Sequence, residues 1–500
     1  MLHTEFRPGE RWWGGAVHHG SRMPFTAGSV YQIDLSVECA GNQSVPFFLS
    51  SAGRYIWSET PFTIRFDHGV ITADGDAALY EAGSTLAETY RAAMKKHFPP
   101  TGDCPDLRFY RTPQYNTWAE LTYNQCQSAI TAYADAIVAN GYTPGILMID
   151  DTWQTGYGIW RFNRERFDDA RAMIDHLHEL GFTVMVWIVP YLCADSPEFR
   201  EAEADPTRLL RNPDGTPYLL RWWNGYSAAL DMTSEGDVRW LRSVLDSLIR
   251  DLGVDGFKFD GGSLDCYPEL PGKPRAELTH AWNRFAMSYR FNEVKDTWKA
   301  GGLPLNQRLR DKDHAWNGEG LSCVIPDALT ASLTGHNFLC PDMVGGGSWI
   351  CFVDGYPLDQ ELIVRFAQAS ALFPAMQFSV APWRILTPEN AALVRATQDL
   401  HVEMGGYIAD CVTRAAETGE PVLRPLAYNY PGEDFEDVTD EFLLGDDILV
   451  APVLEKGAVT RQVRFPSGVW ESRDCGTFTG PCTAVVDAPL SVLPWFKKKA

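Results

Sequence analysis

Between residues 105 and 385, short apolar segments recur, with amphipathic stretches between many of them. The segments are TPQYNTWAE, GILMIDD, TVMVWIVP, GFKFDGG, PLNQRLRDKD, GLSCVIPD, HNFLCPD and FPAMQFS. NQCQSAITAYADAIVAN and ARAMIDHLHELG carry helical spacing, and the second runs directly into TVMVWIVP. A helix that feeds at once into a buried strand is the repeating unit of a parallel sheet. Eight such segments predict an α/β fold, a (β/α)8 TIM barrel. A doubly wound sheet is the weaker alternative, because no GxGxxG fingerprint follows any of the strands. The run Gly345–Gly347 lacks that spacing and reads as a turn.

The flanks have a different rhythm. SVYQIDLSVEC, VPFFLSSAGRYIWSE and PFTIRFDHGVITADG alternate between turn residues, so 1–104 reads as an N-terminal β-rich domain ending at the Pro99–Pro100 pair. The barrel is expected over 105–408. EFLLGDDILVAPVLEKGAVTRQVRFPSGVWES and CTAVVDAPLSVLPWF place a C-terminal β-sandwich-like domain over 409–500.

Composition narrows the partners. A net charge of −22 repels phosphate backbones and anionic membranes, which argues against nucleic acid and against membrane binding. No segment has the length and apolarity of a membrane span, and the N-terminus lacks a basic region followed by an apolar run. Cys323, Cys340 and Cys351 sit in apolar runs and no CxxC occurs, so the thiols are expected to be reduced and the protein cytoplasmic. HExxH is absent, and His176 and His178 do not share a helix face, so no metal site is expected. The 17 tryptophans read first as a large aromatic core and second as flat apolar surfaces of the kind that stack on sugars. On the second reading a small-molecule carbohydrate is the expected partner; a homo-oligomer is left open.

In a barrel, chemistry sits at the C-terminal ends of the strands. Asp150, Asp151, Asp260, Asp311, Asp313, Asp327 and Asp342 all stand at such ends. Any one of them could instead cap a helix or begin a turn. GFKFDGG is the most specific signal: alternation puts Lys258 and Asp260 on one face and Phe257 and Phe259 on the other. A nearby ammonium would keep Asp260 ionised. A fixed, ionised carboxylate in a pocket is what attack on an anomeric carbon requires.

These strings, in order, resemble a known family. GILMIDDTWQ, ARAMIDHLHELGFTVMVWIVP, DGFKFDGG, CPDMVGGG and ELIVRFAQASALFPAMQFS look like family 31 of the glycoside hydrolases, and ILVAPVLEKG and FPSGVWES look like its C-terminal β-domain. The likeness points to the branch with bacterial α-galactosidases and the myogenesis-regulating glycosidase. The resemblance implies a retaining exo-α-glycosidase that uses no metal or other cofactor. It makes Asp260 the nucleophile and Asp313, in RLRDKDHAW, the acid/base, with Asp311 and Asp327 as rivals. Asp327 reads more readily as a cap for the helix that follows. Asp150, Asp151, Asp342, Trp118, Trp187 and Trp223 carry over as sugar-binding residues, joined by Lys258 and by Arg308, for which Arg310 is the alternative. The family's α-glucosidases carry Arg-x-His after the last strand. Here the stretch is Gln377-Phe378-Ser379, so α-galactosides are the expected substrates, with an α-glucoside or a modified hexose as the alternative. A non-catalytic carbohydrate-binding protein on the same scaffold is the rival class.

Overall fold

The computed structural model describes residues 1–37 and 42–499. Its centre is a parallel barrel of β1 (Gln114–Asn116), β2 (Ile146–Ile149), β3 (Thr183–Ile188), β4 (Gly256–Phe259), β5 (Phe291–Val294), β6 (Asn306–Arg308), β7 (Leu339–Cys340) and β8 (Gln377–Phe378). The hydrogen-bonded order is β7-β6-β5-β4-β3-β2-β1-β8. A parallel bridge between Met343 and Gln377, with Val344 N–H donating to the Gln377 carbonyl at 2.8 Å, brings β8 back to β7 and closes the ring. The sequences ILMI and TVMVWI are buried at every position, as strands covered on both faces must be.

One expected strand is replaced by another. GLSCVIPD is a short 3-10 turn leading into the helix Val324–Leu333, and the fifth strand is FNEV. Its Glu293 gives FNEV the look of a loop. In the fold, that carboxylate points into the barrel and accepts a hydrogen bond from Gln377 Nε2 at 2.8 Å. Asp327 is no cap: it lies within the helix, fully buried, and pairs with Lys312 Nζ at 2.6 Å.

The boundary expected at 408 falls inside the helix Pro388–Thr418, and the C-terminal sheet begins only at Leu423. That sheet is one six-stranded antiparallel layer. The segment 426–438 links that sheet to the N-terminal domain: the Tyr430 ring meets Trp470, and the Tyr428 ring meets Tyr90. Phe465, Trp470 and Phe496 share one core cluster with Trp12, Phe48 and Tyr90. The N-terminal domain itself carries a four-stranded and a five-stranded sheet, and the second borrows Thr297–Trp298 from the barrel region.

The N-terminal domain also supports the loop after β6. Its 3-10 turn Val17–Arg22 packs on the helix that carries Asp327. A Cβ on Gly20 would stand 2.5 Å from the Pro326 carbonyl oxygen and 2.6 Å from Asp327 N, both backbone atoms. Gly20→Ala is therefore expected to destabilise the protein by about 1–3 kcal/mol, read as a lower denaturation midpoint. An unchanged midpoint would show that the turn can shift freely.

Candidate active site

The loops at the C-terminal ends of the barrel strands enclose a cavity of about 340 Å³. Its lining includes Trp118, Asp150, Asp151, Trp187, Trp223, Lys258, Asp260 and Arg308, all singled out in the sequence. Lys295, Asp311, Met343, Gly347 and Trp349 complete it. Asp313 and Asp342 are not among the lining residues.

Asp260 ends β4. Its Oδ2 accepts from Trp187 Nε1 at 2.9 Å and its Oδ1 from Gly261 N–H at 2.9 Å. Phe257 and Phe259 point the other way, into the outer core against Tyr289 and Trp282. Burial pushes the Asp260 carboxyl up, but Lys295, Lys258, the Trp187 bond and Arg308 outweigh it and hold the group below its ordinary value. After Asp260 the backbone turns through Gly261 and Gly262, at φ +61° and +75°. A Cβ on Gly261 would meet the Tyr191 ring at 2.9 Å, so only glycine fits this turn.

Lys258 faces inward as expected, but its hydrogen-bonded partner is Asp150 rather than Asp260: Nζ donates to Asp150 Oδ2 at 2.7 Å. The same oxygen accepts from Asn116 Nδ2 at 2.7 Å. Lys258 therefore anchors the Asp150 carboxylate and acts on Asp260 only through its field. Asp151 accepts from Gln154 Nε2 at 3.1 Å, Asn224 Nδ2 at 2.9 Å and the Tyr157 hydroxyl at 3.1 Å. Burial, with Asp150 adding to it, raises the Asp151 carboxyl against those three bonds.

The tryptophans differ in setting. Trp187 is buried at the cavity wall. Trp223 sits in the tight turn between Leu219–Trp222 and Gly225–Ala229 and is 59% exposed. The hairpin is held by the buried Trp222, whose Nε1 donates to Ser227 Oγ at 3.0 Å. Trp223→Ala should thus leave the melting temperature nearly unchanged and lower kcat/KM about five- to tenfold, the worth of one lost stacking contact. A large loss of stability with unchanged kinetics would make Trp223 a packing residue instead.

The loop after β6 settles the ambiguous arginine. Arg308 is buried and turned inward, donating from Nη1 to Asp311 Oδ1 and to Asp342 Oδ1, each at 2.7 Å. Arg310 is turned away to Glu319 and Asp327. Asp311 faces the cavity with its side chain 47% exposed. Gly347 packs against it so closely that a Cβ there would lie 2.7 Å from Asp311 Oδ1. Asp313 lies two residues further on, exposed and outside the cavity, its N–H donating to the Glu319 carbonyl at 2.8 Å. Asp342 is wholly buried behind Arg308 and also accepts from Lys312 N–H at 2.7 Å through Oδ2. It braces the loop from below. Burial pushes its carboxyl up to about 6, with Arg308 opposing and Asp311 reinforcing the shift.

The sequence reading passed over Lys295, Met343, Gly347 and Trp349. Lys295 could have been found by alternation, had FNEV been read as a strand: Glu293 and Lys295 share the inward face. Among the described residues no helix is long and apolar enough to cross a membrane.

Comparison with known proteins places this geometry. Residues 113–300 match the TIM-barrel domain of the glycosyl hydrolases family 31, and residues 419–499 match that family's C-terminal domain. The myogenesis-regulating glycosidase of Mus musculus is 30% identical over 96% of this chain and 73% of its own length. A sulfoquinovosidase of Escherichia coli (strain K12) is 25% identical over 90% of this chain and 70% of its own. In structure, a family 31 dextranase of Flavobacterium johnsoniae superposes with a TM-score of 0.85 at 20% identity, covering all of this chain, which spans 66% of that enzyme. With a relative 30% identical across nearly the whole chain and matches to both the barrel and the C-terminal patterns, the chain belongs to family 31 of the glycoside hydrolases.

Proposed function

We propose that the protein is a retaining exo-α-glycosidase for a neutral terminal hexose, with α-galactosides as its substrates, Asp260 as nucleophile and Asp311 as acid/base. The observation that carries this reading is the pair of carboxylates, one from the end of β4 and one from the loop after β6, lining a cavity of about 340 Å³. Asp311 takes the acid/base role over Asp313 because it is the one of the two that reaches the cavity.

The chemistry follows from the positions. Asp311, protonated, gives its proton to the glycosidic oxygen as the bond from that oxygen to the anomeric carbon breaks. Asp260 forms a bond to that carbon from the opposite face. Asp311, now ionised, takes a proton from water as the water oxygen bonds to the anomeric carbon and Asp260 leaves.

Charge supports a neutral sugar. Each cation of the lining is already paired: Lys258 with Asp150, Lys295 with Asp311, Arg308 with Asp311 and Asp342. A sulfonate or carboxylate on the sugar would have to break one of these pairs. Support for galactose comes from β8. Gln377 bonds Gln114 and Glu293, Ser379 Oγ accepts from Ala119 N–H, and neither is among the residues that line the cavity, so this stretch offers no counterpart to the Arg-x-His of the α-glucosidases. The Asp150–Lys258 pair supplies polar groups for an axial 4-hydroxyl. An unmatched buried hydroxyl costs about 1–3 kcal/mol, roughly ten- to hundredfold in kcat/KM.

The test is a panel of nitrophenyl glycosides. The α-galactoside should be cleaved at least tenfold faster than the α-glucoside, the α-xyloside and the α-sulfoquinovoside, by kcat/KM, and proton NMR should show the α-anomer released first. Preference for another sugar overturns the substrate; release of the β-anomer overturns the mechanism.

A further inference from the structure

Lys295 follows directly on β5, on the face that Glu293 shares, and so emerges into the cavity. Its side chain is 16% exposed, and Nζ donates to Asp311 Oδ2 at 2.8 Å. Among the described residues this is the only hydrogen bond that Nζ makes. The other oxygen, Oδ1, accepts from Arg308 Nη1. The two cations differ in freedom. Arg308 is shared with Asp342 at 2.7 Å and lies 3.8 Å from Glu293, so it is fixed from behind. Lys295, on a flexible stem, is tied to Asp311.

We propose that Lys295 is a positioning residue acting through Asp311: its ammonium fixes one oxygen of the acid/base and sets how readily that group holds a proton. The inference rests on the reading of Asp311 as acid/base. The charged groups around Asp311 are Lys295 from the end of β5, Arg308 from β6 and Asp342 after β7; Asp260, from β4, faces the same two cations, and Lys312, next in the chain, turns away to Asp327. Partial desolvation at the cavity wall pushes the Asp311 carboxyl up, but Lys295 first and Arg308 second, each in direct contact with it, outweigh this and hold it well below the ordinary carboxylate value. That state suits the base of the second half-reaction, whereas the first half-reaction needs the proton on Asp311. Glycosylation of a substrate with a poor leaving group must therefore lose rate as pH rises, and Lys295 fixes where that loss begins.

The sign is definite. An opposite charge favours the ionised form, so removing Lys295 raises the proton affinity of Asp311, and the protonated acid persists to higher pH. Profiles of kcat/KM against pH should be recorded for an alkyl and a nitrophenyl α-galactoside with the parent, Lys295→Met and Lys295→Arg. Lys295→Met should move the alkaline limb on the alkyl substrate upward by about one pH unit or more. It should move the nitrophenyl limb far less, because that leaving group needs little protonation. Lys295→Arg should restore the parent profile. An unmoved limb in a folded Lys295→Met variant overturns the inference, as does an equal shift on both substrates. If Lys295→Met does not fold, Lys295→Gln takes its place under the same criteria. Asp311→Asn separates the two readings. If it cleaves the alkyl substrate normally, the acid/base assignment itself fails. If it does not, and the limb is still unmoved in Lys295→Met, only the role of Lys295 fails.

Discussion

Asp260→Gly is expected to lower kcat by several orders of magnitude, because it removes the carboxylate that forms the covalent bond to the anomeric carbon. The variant should still fold, since the side chain lines the cavity, with a modest fall in melting temperature because Trp187 Nε1 loses its acceptor and Lys295 and Lys258 lose a neighbouring charge. Azide should restore turnover and yield the β-glycosyl azide, because a small anion enters the vacated face and nothing remains to displace it. The control is Trp187→Phe, which removes one hydrogen bond to Asp260 Oδ2 and keeps most of the ring. It should cost far less, about tenfold, the worth of one bond to a charged group. Near-native activity of Asp260→Gly would remove Asp260 from the chemistry.

The second large effect separates Asp311 from Asp313. Loss of the general acid should cost about 10²- to 10⁴-fold on an alkyl α-galactoside and much less on a nitrophenyl one. With nitrophenyl substrates, hydrolysis of the covalent intermediate becomes limiting. Azide should then accelerate turnover of Asp311→Ala and give the α-glycosyl azide. Asp313→Ala should resemble the parent, since its side chain is exposed and outside the cavity. The reverse pattern would mean that the loop after β6 rearranges on binding so that Asp313 replaces Asp311.

The near miss between these two residues shows what a sequence can and cannot carry. Strands such as TVMVWI are legible because burial on both faces demands unbroken apolar runs. GFKFDGG is legible because alternation alone sorts its two acting residues from its two packing ones. FNEV is not, because its glutamate is stabilised by Gln377, which lies 84 positions away in the chain. With β5 missed, Lys295 had no face assigned to it. Asp311 and Asp313 differ by two positions in a loop, where no periodicity says which side chain turns inward. The choice is made by Arg308 at the end of β6, Lys295 just after β5 and Gly347 in the loop after β7, three residues that meet only in the folded barrel. Asp342 was legible as a strand-end acid, yet its place behind Arg308 depends on contacts to β6 and to the Lys312 amide.

The central claim is a covalent bond from Asp260 to the sugar. A 5-fluoro-α-galactosyl fluoride forms such an intermediate readily and releases it slowly, so the trapped enzyme can be digested and its peptides sequenced by mass spectrometry. The account predicts one glycosyl group per chain, on the peptide containing GFKFDGG, with the modification at Asp260 and none in Asp260→Gly. A label on Asp150, Asp151 or Asp311, or rapid turnover of the reagent with no adduct at any concentration, would contradict it.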